Sequence, residues 1–278
     1  MSDADRIRAL LDKPEFPRSA AYEPRWLLEN SMGPNPVWLT EWLCEVMELE
    51  SGMRVLDLGC GKAISSVFLA KEFDVSVYAC DLWIGPDNNW RRAQEAGAAE
   101  RVTPLRAEAH ALPFASGFFD AVISIDAYHY FGTDQLYLGY LASFVRPGGR
   151  IGVALPSLLE ELDEPPAHLL EPQANGKVFW ESELWSLQSP AAWRRRWERC
   201  GQVELERVDT QAEGWRHWRD HELASELAGT SPFPSDAEAL ERDAGRTIGF
   251  VRAVARRNQA EAMNTNDPSL GVRFGIDV

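Results

Sequence analysis

Long apolar runs are missing from this 278-residue chain. No window approaches the roughly 20 apolar residues that a bilayer-spanning helix needs, and the N-terminal "MSDADRIRALLDKPEF" carries charges throughout, without the apolar stretch of a signal peptide. Cysteine is scarce. Cys44, Cys60, Cys80 and Cys200 form no CxxC pair, and three of them sit in apolar strand or helix patterns, so a disulfide framework is not expected and a cytoplasmic location with reduced thiols is. Cations are outnumbered: 28 Lys and Arg against 43 Asp and Glu give a formal charge of −15. That balance argues against an electrostatic grip on nucleic acid, which needs clustered Lys and Arg over a broad face. The one dense basic cluster, Arg194, Arg195 and Arg196 in "AAWRRRWERCG", reads as a solvated helix face. No repeat and no low-complexity block is visible. The expected partner is a small molecule, with neither membrane nor nucleic acid, and a homodimer is compatible with these features.

What is present is alternation. Residues 1–50 read as helical segments broken by prolines, a cap before the sheet begins. From Met53 onward the pattern predicts strands near 53–58, 75–81, 101–106, 118–125 and 149–155, with helices over 62–72, 87–97 and 134–145. Residues 156–200 break the regularity with prolines, acids and aromatics, and read as a substrate-side insertion after the fifth strand. A helix at "GWRHWRDHELASELAG" separates two last strands, 202–210 and 247–257, and 258–278 is a tail expected to be poorly ordered unless it docks. The expected fold is α/β, a doubly wound, mostly parallel, seven-stranded Rossmann-like sheet spanning 51–257.

The first strand runs into "VLDLGCGKA". A dinucleotide reader would carry G-x-G-x-x-G, but Gly59 and Gly61 are followed by Ile64 at the third position. Asp57, just before the glycines, would face a pyrophosphate with like charge and suits a ligand bearing an ammonium or sulfonium. Asp81 ends the second strand, where an acid accepts hydrogen bonds from ribose hydroxyls. Glu108, just past the third strand, is placed to accept from an adenine amine. Adenine, ribose and a cationic amino-acid tail together describe S-adenosylmethionine.

The same motifs resemble those of class I S-adenosylmethionine-dependent methyltransferases, in particular bacterial enzymes acting on small molecules. "VLDLGCGKA", "VYACDL", "AEAHALPF" with "GFFDAVIS", and "FVRPGGRIGV" stand in the family's order and spacing over roughly Ser51 to Pro156. The resemblance implies that Asp57, Gly59 and Gly61 shape the methionine end of the site and that Asp81 holds the ribose diol. It further implies Leu82 or Trp83 on the adenine face, Glu108 on the adenine amine and the backbone N–H of Ala109 on a ring nitrogen, with S-adenosylhomocysteine as product. Two positions depart from the pattern: Ala63 stands where a third glycine is common, and Glu108 where Asp is usual.

Methyl transfer needs alignment and water exclusion, and a base only where the acceptor must lose a proton. "SIDAYHYFGTD" follows the fourth strand, with Asp126, His129 as candidate base and Tyr130 as candidate orienting group. Tyr128, Trp38, Trp180 and Trp185 are candidate walls for the acceptor, and Met32, Gly33 and Asn35 a candidate hinge. His217 and His221 share a helix face without the HExxH glutamate, and no metal site is expected. Two other readings keep the cofactor: attack at a different sulfonium carbon, such as cyclisation of the aminobutyrate arm with release of methylthioadenosine, or a non-catalytic binding protein.

Overall fold

The computed structural model describes residues 2–231 and 233–260. Its N-terminal helices begin where the sequence supplies caps. Ser2 and Asp5 make a reciprocal capping box for α1 (Asp3–Leu11), and the Glu23 side chain caps α2 (Pro24–Asn30). The Asn35 carboxamide accepts from the N–H groups of Val37 and Trp38, with Pro36 preset at the first turn, to start α3 (Pro36–Cys44).

Seven strands follow: β1 (Arg54–Leu58), β2 (Ser76–Asp81), β3 (Val102–Arg106), β4 (Phe119–Ile125), β5 (Val145–Leu158), β6 (Val203–Thr210) and β7 (Ile248–Arg257). The helices between and after them are α4 (Ile64–Phe73), α5 (Pro86–Glu95), α6 (Tyr137–Ser143), α7 (Ala167–Leu170), α8 (Pro190–Glu198), α9 (Gly214–Ala228) and α10 (Ala237–Asp243). The sheet order is β3-β2-β1-β4-β5-β7-β6. β7 runs antiparallel to both neighbours and the other pairs are parallel. Strand order reverses between β1 and β4, and in such sheets the crevice beyond the carboxyl ends at that point takes the ligand.

The seven-stranded, mostly parallel sheet is the one the alternation predicts. Two details differ. α3 and the turn after it cover the sheet itself: they pack so closely on β5 that a Cβ on Gly152 would stand 2.3 Å from the sulfur of Met47, in that turn, and 3.2 Å from a methyl of Leu43, in α3. The insertion likewise divides. α8 turns Trp193 and Trp197 fully into the core, so "WRRRW" is a buried stripe with its arginines outside, and only the segment before it borders the ligand crevice. α10 has no counterpart in the sequence reading. The tail residues 261–278 lie outside the described residues.

Candidate functional site

β1 ends in a turn held by the neighbouring strand. The N–H groups of Gly59 and Cys60 both donate to the Cys80 carbonyl, at 2.8 and 3.1 Å. Gly59 has φ +74, and a Cβ there would sit 2.4 Å from that of Ala127, so the turn and the loop after β4 approach as closely as backbone allows. Ala63 takes the left-handed conformation at φ +61 in front of α4, the conformation a glycine adopts freely.

Beyond this turn lies a cavity of about 330 Å³, within the range of small-molecule sites, lined by Gly59, Gly61, Asp81, Leu82, Trp83, Glu108 and Ala109 among others. Seven of the eight residues expected to hold the cofactor therefore meet in one place. The Asp81 carboxylate accepts from the N–H of Gly61 at 2.8 Å through one oxygen, and from those of Trp83 at 2.8 Å and Ile84 at 2.9 Å through the other. Three of its roughly four lone-pair directions are thus filled, fixing its orientation and leaving one for a ligand hydroxyl. Leu82 and Trp83 are 48% and 70% exposed, apolar surface at the rim that a flat ring would cover. Glu108 is tied to His110, accepting from its N–H at 2.8 Å and lying 2.8 Å from its Nδ1.

Asp57 is the exception. It is fully buried beneath the turn, one oxygen accepting from the hydroxyls of Ser65 and Ser66 at 2.6 Å each, and it does not line the cavity. Burial raises its pKa to about 6 against those two bonds. Its bonded oxygen joins β1 to the first turn of α4, while its other oxygen, Oδ1, is buried without a hydrogen-bond partner among the described residues.

A second cavity of about 620 Å³ adjoins the first. The two share Met32, Gly33, Pro34, Trp83, Asp126 and Tyr130. Asp126 stands at the junction with φ +52, and burial without a compensating partner pushes its carboxyl up to about 7. Gly33 is packed on it: a Cβ at residue 33 would be 2.1 Å from its Oδ2. The expected hinge is thus a roof over both cavities. Lys62 Nζ donates to the Glu29 carbonyl at 2.9 Å and Arg92 Nε to Asn30 Oδ1 at 2.8 Å, fastening this roof to the turn and to α5.

The other residues picked out after β4 separate. His129, 4% exposed, and Tyr130, 63% exposed, both border the second cavity. Burial lowers the His129 pKa to about 4, a weaker base than a free imidazole, while burial raises that of the neighbouring Asp126 to about 7. Tyr128 is fully buried against Trp193 and Trp197, with ring centroids 5.6 and 5.8 Å away, and lines neither cavity.

None of the three tryptophans chosen as acceptor walls lines a cavity. Trp38 packs with Phe16 and His217 behind His221, 6.4 Å from the His221 ring. Trp180 and Trp185 stack edge to face at 5.3 Å, while their neighbours Phe179, Leu184 and Ser186 face the chamber. Sequence reasoning also missed Glu222. It belongs to a stripe on α9, Trp218, His221, Glu222 and Ser225, all bordering the chamber. The spacing i, i+3, i+4, i+7 was the available signal. His221 is hydrogen-bonded to the backbone of Gly33, so α9 holds the roof from the far side.

Residues 55–149 match the family model described as a methyltransferase domain. The 27-O-demethylrifamycin SV methyltransferase of Amycolatopsis mediterranei is 30% identical over 118 residues, 41% of this chain and 43% of that protein. Demethylmenaquinone methyltransferase of Corynebacterium efficiens is 32% identical over 153 residues, 53% of this chain and 63% of the relative. The chain spans less than half the length of the first of these relatives. Among solved structures, geranyl diphosphate C-methyltransferase from Streptomyces coelicolor superposes with a TM-score of 0.63 at 17% identity, covering 90% of this chain and 87% of that one. The [4+2]-cyclase SpnF superposes at 0.60 and 17% identity, over 80% and 81% of the two chains. These likenesses establish the class I methyltransferase fold.

Proposed function

We propose, for a chain whose residues 55–149 belong to the class I S-adenosylmethionine-dependent methyltransferase family, that the protein transfers a methyl group from S-adenosylmethionine to a small-molecule acceptor. One observation carries this reading: two cavities, one at the glycine turn and one larger, lie side by side and share a wall that includes Asp126. A donor in the first and an acceptor in the second would react at their shared wall. S-adenosylmethionine supplies a methyl on a positively charged sulfur, which any aligned nucleophile can take.

The residues present fit that group. Asp81 keeps one acceptor direction for a ribose hydroxyl, Leu82 and Trp83 offer apolar surface for a purine, and Glu108 lies at the adenine end. The Gly59 and Gly61 turn admits the amino-acid tail by close backbone approach. The roof residues Met32, Gly33 and Pro34 line both cavities at once, where they would help to align donor and acceptor for an in-line displacement. Asp126, with a pKa near 7, is suited to receive a proton from an acceptor that must lose one.

Incubation with S-adenosylmethionine and a metabolite library, read by mass spectrometry, tests this. S-adenosylhomocysteine together with a methylated product supports it. Methylthioadenosine instead would move the reaction to another sulfonium carbon, and cofactor binding with no turnover on any acceptor would make the chain a binding protein.

A further inference from the structure

The larger chamber has a one-sided polar lining. Among the described residues, Asp126, Glu181, Glu183, Glu222 and Asp236 border it against one lysine, Lys177, whose ammonium is bonded to Asp236 at 2.9 Å. The two histidines on its wall, His129 and His221, are 4% and 3% exposed, and each leaves its Nδ1 without a hydrogen-bond partner among the described residues. Burial holds both rings neutral, each with its pKa lowered to about 4. Among the described residues, Asp126 and Glu222 thus border the chamber with Glu181 and Glu183 at its exposed edge, and the one lysine of the lining is shared between Asp236 and Glu222.

The two inner carboxyls record that imbalance. Asp126 is shifted by burial alone, and Glu222, bonded at 3.4 Å to the Trp218 indole N–H, is likewise pushed up to about 7 by burial and by the Asp236 charge. Such groups gain from an incoming positive charge twice, through the charge-assisted hydrogen bond and through relief of the cost of ionising in a buried place. An acceptor bearing phosphate or carboxylate would meet repulsion instead. Between the acids the wall is apolar, with Phe179, Leu187 and Trp218.

Resting on the methyl-transfer reading above, we propose that the acceptor is a basic amine carried on an apolar body, its ammonium received by Asp126 and Glu222 and its hydrocarbon part by Phe179, Leu187 and Trp218. Before transfer the ammonium gives one proton to the Asp126 carboxylate: an N–H bond breaks, an O–H bond forms, and the nitrogen keeps the electron pair that attacks. Both charges are neutralised in that step, which burial of the Asp126 carboxyl favours.

Calorimetry on the full chain tests the proposal in two arms. The first titrates S-adenosylhomocysteine alone. The second, run with and without S-adenosylhomocysteine, compares phenethylamine with phenethyl alcohol and phenylacetate, and hexylamine with hexanol. At least one amine is expected to bind about tenfold or more tightly than its neutral counterpart, and phenylacetate to give no heat. In Glu222→Gln, and independently in Asp126→Asn, the preference falls by about tenfold while the melting temperature does not fall. The proposal is overturned if neither pair shows an amine preference, if the carboxylate binds as well as the amine, or if the preference survives in both variants. A silent first arm would defeat the methyl-transfer reading by itself, and the amine arm without S-adenosylhomocysteine still reports the chamber's charge preference.

Discussion

Single residues in this protein act through where the backbone lets them stand. Gly59 and Gly52 both hold positive φ, +74 and +83, but only Gly59 is pressed against another segment, the Ala127 side chain. Gly52→Ala should therefore cost only the left-handed backbone penalty of about 1 kcal/mol, and Gly59→Ala about 2–4 kcal/mol with loss of cofactor binding. Urea unfolding of the two variants measures the difference. Asp126 gives a prediction in pH. Its carboxyl is raised in the folded chain from 3.8 to about 7, so its protonated form favours folding below the unfolded value, and that contribution is lost as pH rises through 7. Asp126→Asn should accordingly be more stable than the parent at pH 8.5, by about 1–2 kcal/mol once solvent reaching the carboxylate is allowed for, with the gap closing toward pH 4. His129 and His221 contribute with the opposite sign, losing stability as pH falls from 6.5 toward 4, but both chains carry them and the comparison cancels them.

At the scale of elements, the site depends on fastening the N-terminal roof to the sheet. Lys62 reaches from the glycine turn to the last carbonyls around α2, bonding Glu29 at 2.9 Å and Ser31 at 3.5 Å, where a cation is also favoured by the helix dipole. Lys62→Met should speed amide exchange over residues 30–34 without changing α4, and weaken cofactor binding by about threefold to tenfold. Exchange mass spectrometry with and without S-adenosylhomocysteine separates these effects. The sheet and its turn were legible because their signals are local: a strand, two glycines and an acid at the next strand's end lie within a few tens of residues. Asp57 shows the limit of that reading. Spacing does not reveal that Ser65 and Ser66, in the first turn of α4, hold one of its carboxylate oxygens beneath the turn.

Over the whole molecule, the larger chamber is a meeting of distant segments, from Leu28 in α2 to Asp236 before α10. No sequence window contains it, which is why Trp38, Trp180 and Trp185 were chosen on residue type and Glu222 was passed over. Aromatic residues in this chain serve the core first: Trp193, Trp197 and Tyr128 are fully buried, and Trp38 supports His221 from behind. The cofactor cavity, by contrast, is assembled at one strand edge, and there seven of eight expected residues converged. That cavity carries the central claim, and its most direct test is calorimetric titration of the full chain with S-adenosylhomocysteine and, separately, with NADH, repeated on Asp81→Ala. One-to-one binding of S-adenosylhomocysteine is expected, weakened about tenfold or more in the variant, with no heat from NADH. Saturable NADH binding with none of S-adenosylhomocysteine would contradict it.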